Sequence, residues 1–396
     1  MADPRLTQSN VHLTILAVAT LTCCLSALSQ STARRTRPRR EKLPSDLHAW
    51  RSSEAAELPA YTELWNEFLP LLSRHNLSLW KALDGRHSSP GGLPQADNYF
   101  YFSANKTHNL SSIHVEEFHV QNALSNIART TTGVRRDCVL RVITAGGQGH
   151  DHLRILRHLS QSPGALLSNN HVLPLIDEIS FEDITIGVCP RLSHNLESIF
   201  LPHCNNSAED ILHMVLQGFE GLAYLHKSRV AHRDMFLDNL VVEWIPASMI
   251  ERSTVTRPPV YIIDFESAVD FPEGSTGDRR LCSGVPVPPR QDYGRAVPSE
   301  LTNDDPYCPF KLDIWQFGSK VRYMLHPTGL PVVDRLLLDL TAPSPPDRPT
   351  AREALLRLDD FLRTTVPSSL HFPLPMQYDE SDPSILPKYL RLCLFR

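Results

Sequence analysis

Apolar and polar positions alternate with different periods along this chain, and each period predicts an element. Pro59 to Trp80 carries Tyr61, Leu64, Trp65, Phe68, Leu71 and Leu72 at helical spacing, which predicts an amphipathic helix packed on the protein body. His87 to Asp97, with Pro90-Gly91-Gly92 and Pro94, reads as loop. Cys138-Val139-Leu140-Arg141-Val142-Ile143 predicts a buried strand. Asp151 to Leu159 returns to a helical period, and the apolar runs 170–175 and 184–191 predict two more strands. A longer helix opens at Ser207, which forms a capping-box-like pattern with Asp210. Ile211, Leu212, Val215, Phe219, Leu222 and Leu225 make its apolar stripe, a core face, up to His226. Leu240-Val241-Val242 and Tyr261-Ile262-Ile263 are short strands, separated by a polar surface insertion over 246–259.

Composition adds bounds to this picture. The chain has 396 residues, 41% hydrophobic and 21% charged, which suits a folded globular protein of one large domain plus a tail, or two domains. A net charge of −5 implies no basic face, so no nucleic-acid partner is expected. The 32 prolines cluster over 285–298, 343–349 and 367–387 and predict long irregular connections. Cys138, Cys189, Cys204, Cys282, Cys308 and Cys393 show no paired or metal-binding spacing, so no disulfide framework is read.

The N-terminus carries an uncharged, mostly apolar stretch over 11–28, followed by the basic run Arg34-Arg35-Thr36-Arg37-Pro38-Arg39-Arg40. It predicts a signal or anchor segment and hence a membrane-associated localisation. The basic flank places the following domain on the cytosolic side if the anchor is uncleaved. Asn-x-Ser/Thr triplets at Asn76, Asn105, Asn109 and Asn205 favour a lumenal or secreted domain instead.

The candidate chemistry centres on Ala231-His232-Arg233-Asp234-Met235-Phe236-Leu237-Asp238-Asn239, which reads H-R-D-x-x-x-x-N. Asp234 can accept a proton from a hydroxyl, and Asn239 can hold a metal ion beside a transferring phosphate. Downstream, Ile262-Ile263-Asp264-Phe265-Glu266 ends a strand in Asp-Phe, with Glu266 where D-F-G has glycine. Val297-Pro298-Ser299-Glu300, Asp313-Ile314-Trp315-Gln316-Phe317-Gly318 and Asp347-Arg348-Pro349-Thr350 follow in order. With these motifs the chain resembles the eukaryotic protein-kinase superfamily, and within it the divergent protein-kinase-like proteins of fungi.

The resemblance implies an α+β, bilobal protein-kinase-like fold, with a small β-rich lobe and a larger helical lobe. The expected organisation is 1–29 hydrophobic segment, 30–58 basic flexible linker, 59–114 extension with an amphipathic helix, 115–362 kinase-like domain and 363–396 C-terminal tail. Asp234, Arg233 and Asn239 are implied as catalytic, and Asp264 with Asn239 as ligands of Mg²⁺. Arg141 takes the place of the lysine that contacts ATP phosphates, and Cys189 lines the adenine pocket. Glu300 and Arg348 are implied as a buried pair. The activation segment would run from Asp264 to Glu300, with Ser275, Thr276, Ser283, Tyr293 and Ser299 as modifiable hydroxyls and Arg233 as the partner of a phosphate there.

The small lobe departs from the pattern. Between residues 98 and 137 the only glycine is Gly133, so no glycine-rich hairpin covers the phosphates. Arginine for lysine at Arg141 is not a conservative exchange, and His152 stands where a helix glutamate is usual. Function therefore reads two ways. The chain is a protein kinase transferring the ATP γ-phosphate to a Ser/Thr hydroxyl of a protein substrate, or a pseudokinase that acts as an interaction scaffold. A small-molecule kinase of the aminoglycoside-phosphotransferase kind is disfavoured by the A-P-E-like and D-x-W-x-x-G-like segments.

Overall fold

The computed structural model describes residues 38–51, 58–83, 86–88, 117–118, 122–133, 136–161, 163–192, 194–200, 206–242, 257–288, 290 and 293–375. In chain order the strands are β1 (Leu77–Leu79), β2 (Lys81–Leu83), β3 (Arg86–Ser88), β4 (Glu117–Phe118), β5 (Ser125–Thr130), β6 (Asp137–Thr144), β7 (Asp177–Phe181), β8 (Ile184–Pro190), β9 (His194–Asn195), β10 (Val230–Ala231), β11 (Leu240–Val242), β12 (Val260–Ile262) and β13 (Val269–Asp270). The α-helices are α1 (Leu47–Arg51), α2 (Leu58–Asn66), α3 (Leu69–Arg74), α4 (His150–Ser160), α5 (Leu196–Ile199), α6 (Ala208–Lys227), α7 (Pro309–Leu325), α8 (Pro331–Leu340) and α9 (Ala351–Thr364). The architecture is α+β, a sheet-rich part followed by a helical part.

The sheet has five strands in the order β1-β5-β6-β8-β7, all pairs antiparallel. Its register sets Arg141 of β6 between Ser125 of β5 and Gly187 of β8, and Val139 opposite Cys189. The smaller sheets are β2-β3-β4, β12-β11-β9 and the pair β10-β13. The last two present the ends of the segments 230–242 and 260–270 to one another.

Apolar burial forms two large clusters. One joins the sheet to the N-terminal segments, through Trp50, Trp65, Phe68, Leu72, Leu124, Leu140, Ile184 and Ile186 among others. The other fills the helical part and takes in α4 through Leu153, Ile155 and Leu156. There α6 and α7 approach so closely that a Cβ on Gly218 would lie 2.6 Å from the Phe317 ring.

Several elements differ from the sequence pattern. The expected helix over 59–80 is two helices and a strand, because Pro70 lacks the amide a continuing helix needs and instead starts α3. The run 170–175 is not a ladder strand. It makes one parallel bridge, Val172 to Ile262, and the paired strand is β7, five residues beyond Val172. Pro174 supplies no ladder amide there, while Glu182 in the left-handed region (φ 53°) lets β7 and β8 close as a hairpin.

Residues 38–51, read from sequence as part of a polar linker, carry a short 3-10 turn (Arg40–Lys42) and α1. Leu43, Leu47 and Trp50 are buried, and Trp50 packs 6.3 Å from both Trp65 and Phe68. Three apolar side chains among many charges were enough to dock the segment. At the other end, Pro367–Leu370 and Phe372 lie on the start of α6, where Ala208 N donates to Phe372 O (2.8 Å). The stretches 59–61, 98–114, 246–256 and 376–396 lie wholly or in side chain outside the described residues, as do Asn105, Asn109 and Asn205.

The membrane-associated localisation requires correction. Among the described residues no helix is long and apolar enough to cross a membrane. The longest, α6, has 20 residues, but it is amphipathic and carries Glu209, Asp210, Glu220 and Lys227. The stretch 11–28 lies outside the described residues, so the membrane partner and either placement of the domain about a membrane lose their support.

Arg348 shows how the helical part is tied to the segment before it. Its side chain is 0% exposed and pairs with Glu300 through both carboxylate oxygens, NH2 to Oε2 at 2.9 Å. Its remaining donors reach the carbonyls of Ala342 (2.8 Å), Lys311 (3.1 Å) and Pro343 (3.3 Å). A fully bonded buried guanidinium is stable, but removing it strands a carboxylate and three carbonyls. Arg348→Ala should therefore cost about 3–5 kcal/mol in urea unfolding. Arg363→Ala, at an exposed pair with Asp359, should cost under about 1 kcal/mol. Equal losses would contradict the role assigned to the Arg348 contacts.

Candidate functional site

The segment 231–239 owes its shape to two side chains of α7. Asp313 and Gln316, three residues apart, share a face of the helix. Asp313 is fully buried and accepts from His232 N (2.9 Å), Arg233 N (2.6 Å) and His226 Nε2 (2.9 Å). Gln316 accepts from Met235 N (3.0 Å) and donates to Arg233 O (2.8 Å). Between them they hold Arg233 at φ 65°, a left-handed conformation that costs a non-glycine residue about 1–3 kcal/mol.

The same segment is zipped to the end of β12. Ile263 N donates to Asn239 O (3.0 Å), and Ile263 O accepts from His232 Nε2 (2.9 Å). His232 Nδ1 accepts from Asp234 N (3.3 Å), so the network assigns the proton to Nε2. The His232 ring stands edge-on to Phe265 at 4.9 Å. Asp264, the residue between, is held at φ 65°. Asp234, Asn239 and Asp264 are therefore brought together, from stretches 25 to 30 residues apart in sequence.

Within this group Asp234 is positioned on one oxygen. Its Oδ2 accepts from Asn239 Nδ2 (2.8 Å) and from Arg295 NH2 (3.0 Å). Its Oδ1 is buried with no hydrogen-bond partner among the described residues, as is Asp238 Oδ1. Such an acceptor costs about 1–3 kcal/mol if nothing else meets it. Arg295 also donates to Asp238 Oδ2 (2.7 Å) and lies over the Phe236 ring at 4.9 Å. Burial alone would lower the Arg295 pKa, but Asp238 and Asp234 outweigh it and raise the value.

A second charge cluster sits at Asp264. Arg141 NH2 donates to Asp264 Oδ1 (2.9 Å) and Glu266 Oε2 (3.2 Å), and Glu266 Oε1 pairs with Arg51. Burial opposes ionisation of Asp264, yet Arg141 and its neighbours hold its pKa below the ordinary carboxylate range. His152 of α4 is buried beside this cluster. Burial first, and then the charge of Arg141, push its pKa down to about 3, so its ring is neutral. Arg141 thus takes its carboxylate from Glu266, not from α4.

Asp264 Oδ2 and Asn239 Oδ1 take no hydrogen bond from the described residues. They are hard oxygen donors of the kind a magnesium ion accepts. Among the described residues no group of three or more His, Cys, Asp or Glu is placed to hold a metal, so any ion there would draw its remaining ligands from elsewhere.

The other expected residues are accounted for as follows. Cys189 opposes Val139 on β8, and burial pushes its thiol up to about 12. Arg233 is buried, and its guanidinium donates to two neutral acceptors, Tyr307 OH (3.0 Å) and Val285 O (3.5 Å). Tyr293 is 5% exposed, and its hydroxyl accepts from Gln316 Nε2 (2.8 Å). Asp137 shares the Arg141 face of β6 by strand alternation. There the buried Trp80 indole donates to Asp137 Oδ1 (3.1 Å) and lies against the guanidiniums of Arg191 (5.0 Å) and Arg129 (5.7 Å).

Sequence reasoning missed the roles of Asp313, Gln316, Arg295, Glu266 and Arg51. Asp313 and Gln316 lay inside the quoted stretch 313–318 and Glu266 stood out as the departure from D-F-G, but none of the three signalled its partner. Arg295 and Arg51 sit in segments with no periodicity, and no local pattern marks where they reach.

The depressed value of His152 generates a prediction. Below the ordinary imidazole value of 6.5 the unfolded chain binds a proton, while the folded protein binds it only near 3. Between these limits the unfolded state holds more protons, so stability falls as pH falls, by up to about 1.4 kcal/mol per pH unit. Urea unfolding between about pH 7 and pH 5 should show His152→Gln with a shallower acid slope than wild type. Identical slopes would mean that His152 is protonated in the fold.

Against models of known protein families the chain matches none. Against curated proteins it is 29% identical over 133 residues to a protein of Encephalitozoon cuniculi (strain GB-M1) named "Probable serine/threonine-protein kinase MRK1 homolog". The match covers 34% of this chain and 35% of that protein, so the chain spans about a third of the length of the relative it matches. The two share a kinase-like relationship over that stretch.

Proposed function

We propose that the protein is a protein-kinase-like phosphotransferase of the eukaryotic superfamily, bilobal in fold, that moves the γ-phosphate of ATP to a serine or threonine hydroxyl of a protein. The observation that carries this reading is the Asp234 carboxylate. One oxygen is fixed by Asn239 and Arg295, and the other is buried with no partner among the described residues. An acceptor held at that cost has a use if an incoming hydroxyl supplies the missing donor. Asp234 would take the proton from that hydroxyl as it attacks, a role that typically contributes 10²–10⁴-fold.

The remaining residues take parts consistent with this. Asp264 Oδ2 and Asn239 Oδ1 would hold Mg²⁺, which when bound neutralises charge on the phosphate oxygens. Arg141 would shift from Asp264 toward phosphate once Asp264 serves the metal. Arg233 lies in the bend that aims Asp234, and its guanidinium, bonded to Tyr307 OH, would be the partner of a phosphate on the segment 264–300. Cys189 and Val139, side by side on β8 and β6, would line the adenine side of the cleft.

One observation favours a second reading, a scaffold without turnover. Arg141 already closes on Asp264 and Glu266, and the cluster of Trp80, Arg129 and Arg191 fills the Asp137 end of the same sheet face. A nucleotide would have to reopen both.

Transfer of labelled phosphate from Mg·ATP to a general protein acceptor separates the two. Wild type should transfer, and Asp234→Asn should lower the rate about 10²–10⁴-fold while keeping the rise in melting temperature that Mg·ATP produces. Asp264→Asn should lose the Mg²⁺-dependent part of that rise. A wild type that Mg·ATP stabilises but that transfers nothing would leave the scaffold reading.

A further inference from the structure

The N-terminal segment carries a charge into the site that no motif announces. Arg51, the last residue of α1, pairs with Glu266 Oε1, while Arg141 takes Glu266 Oε2 and Asp264 Oδ1. Two guanidiniums and two carboxylates, from β6, α1 and the segment after β12, therefore form one cluster. Their side chains are between 27% and 35% exposed, so a ligand can reach them. We infer that Arg51 and Arg141 together form a polyphosphate-binding grip, in which α1 supplies the cation that a glycine-rich hairpin would otherwise replace with backbone amides. This rests on the phosphotransfer reading above and extends it to how the phosphates are held.

Three observations carry the inference. First, Arg51 is presented by a docked segment. Leu47 and Trp50 are buried, Leu47 N donates to Gln148 Oε1 (3.1 Å), and Arg40 holds Asp183 through Nε (2.6 Å) and NH2 (3.0 Å). Gly146, in the left-handed region at φ 59°, lets the loop after β6 pass under Ser45, where a Cβ would overlap the Ser45 carbonyl. Second, the strands that would flank a phosphate-covering hairpin, β1 and β5, are paired, but they are joined by the long stretch 80–124, which includes β2, β3 and β4. A tight hairpin of amides is not what connects them.

Third, the charge balance favours an anion. Arg51 and Arg141 sit on the two oxygens of the single Glu266 carboxylate, so two like charges share one anion. If Asp264 gives its carboxylate to a metal ion, two guanidiniums share one carboxylate, and the surplus positive charge faces the cleft. Guanidinium forks match phosphate oxygens, two donors to two acceptors. His152, neutral beside them, adds no competing anion.

The bland alternative is that Arg51 and Glu266 only pin α1 to the segment after β12. Titration calorimetry on the full chain with Mg·tripolyphosphate and with Mg·ATP distinguishes the two. Arg51→Met keeps the aliphatic stem and should weaken both ligands by about 10- to 100-fold, the change expected for a lost charge-assisted hydrogen bond. Arg51→Lys should recover part of the loss. Lys42→Met, which cuts the exposed Lys42–Glu67 pair of the same segment, should leave both affinities unchanged. Glu266→Gln should tighten polyphosphate by removing the carboxylate that the two guanidiniums share, and this variant tests the idea even if Arg51→Met does not fold.

Equal affinities in wild type and Arg51→Met would overturn the inference, as would an equal loss in Lys42→Met or no polyphosphate binding by wild type. Phosphate transfer that Arg51→Met leaves unchanged overturns the grip and leaves the phosphotransfer reading standing. Polyphosphate binding that needs Arg51, in a protein that transfers nothing, supports the grip and removes that reading.

Discussion

The buried carboxylate of Asp313 is the contact on which the candidate site depends. A carboxyl group at 0% exposure is tolerable only when donors surround it. Here the donors are the amides of His232 and Arg233 and the His226 imidazole. The bonds that satisfy Asp313 also bend the backbone at Arg233 and so aim the next residue, Asp234. Gln316, one turn further along α7, holds the far side of the bend. Strain in the loop and desolvation of the carboxylate are each unfavourable alone, and each is offset by the same set of hydrogen bonds.

From this point the helical part and the sheet-rich part are coupled through charge. His232 and Asn239 bond the two backbone groups of Ile263, which places Asp264 and Glu266. Those carboxylates meet Arg141 from the sheet and Arg51 from α1. Partly exposed pairs of this kind contribute little to stability, about 0–1 kcal/mol each. Their consequence is geometric: they set which cation faces which anion in the cluster.

The sheet-rich part is held by means a short sheet alone could not supply. A packed layer of Trp50, Trp65, Phe68 and Leu72 covers it, with Trp65 Nε1 bonded to Ala123 O (2.9 Å). At the edge near Trp80, Arg129 and Asp137 form a buried two-point ion pair at 2.7 and 2.9 Å. Breaking such a pair leaves a bare charge in the interior, so it fixes one arrangement of β5 against β6 more than it adds net stability. The N-terminal segments are in this sense part of the sheet's core, and the site inherits Arg51 from them.

Much of the local structure was legible along the chain. The stripe of α6 and its capping box at Ser207 and Asp210 read directly, because helix period and caps are short-range properties. So did β6, α4 and the spacing that puts Asn239 beside Asp234. The break at Pro70, the shift of a strand from 170–175 to β7 and the burial of α1 were less legible, since pairing and docking decide them and both act between distant residues. The order of motifs brought Asp234, Asn239, Asp264 and Arg141 to attention as residue types. Tertiary structure alone decided their partners: Arg295 on Asp234, Glu266 on Arg141, Tyr307 on Arg233, and Arg51 on Glu266. A sequence determines what each side chain can bond and the period of its neighbours. Which charges meet depends on distances between segments far apart in the chain, and those distances exist only once the chain has folded.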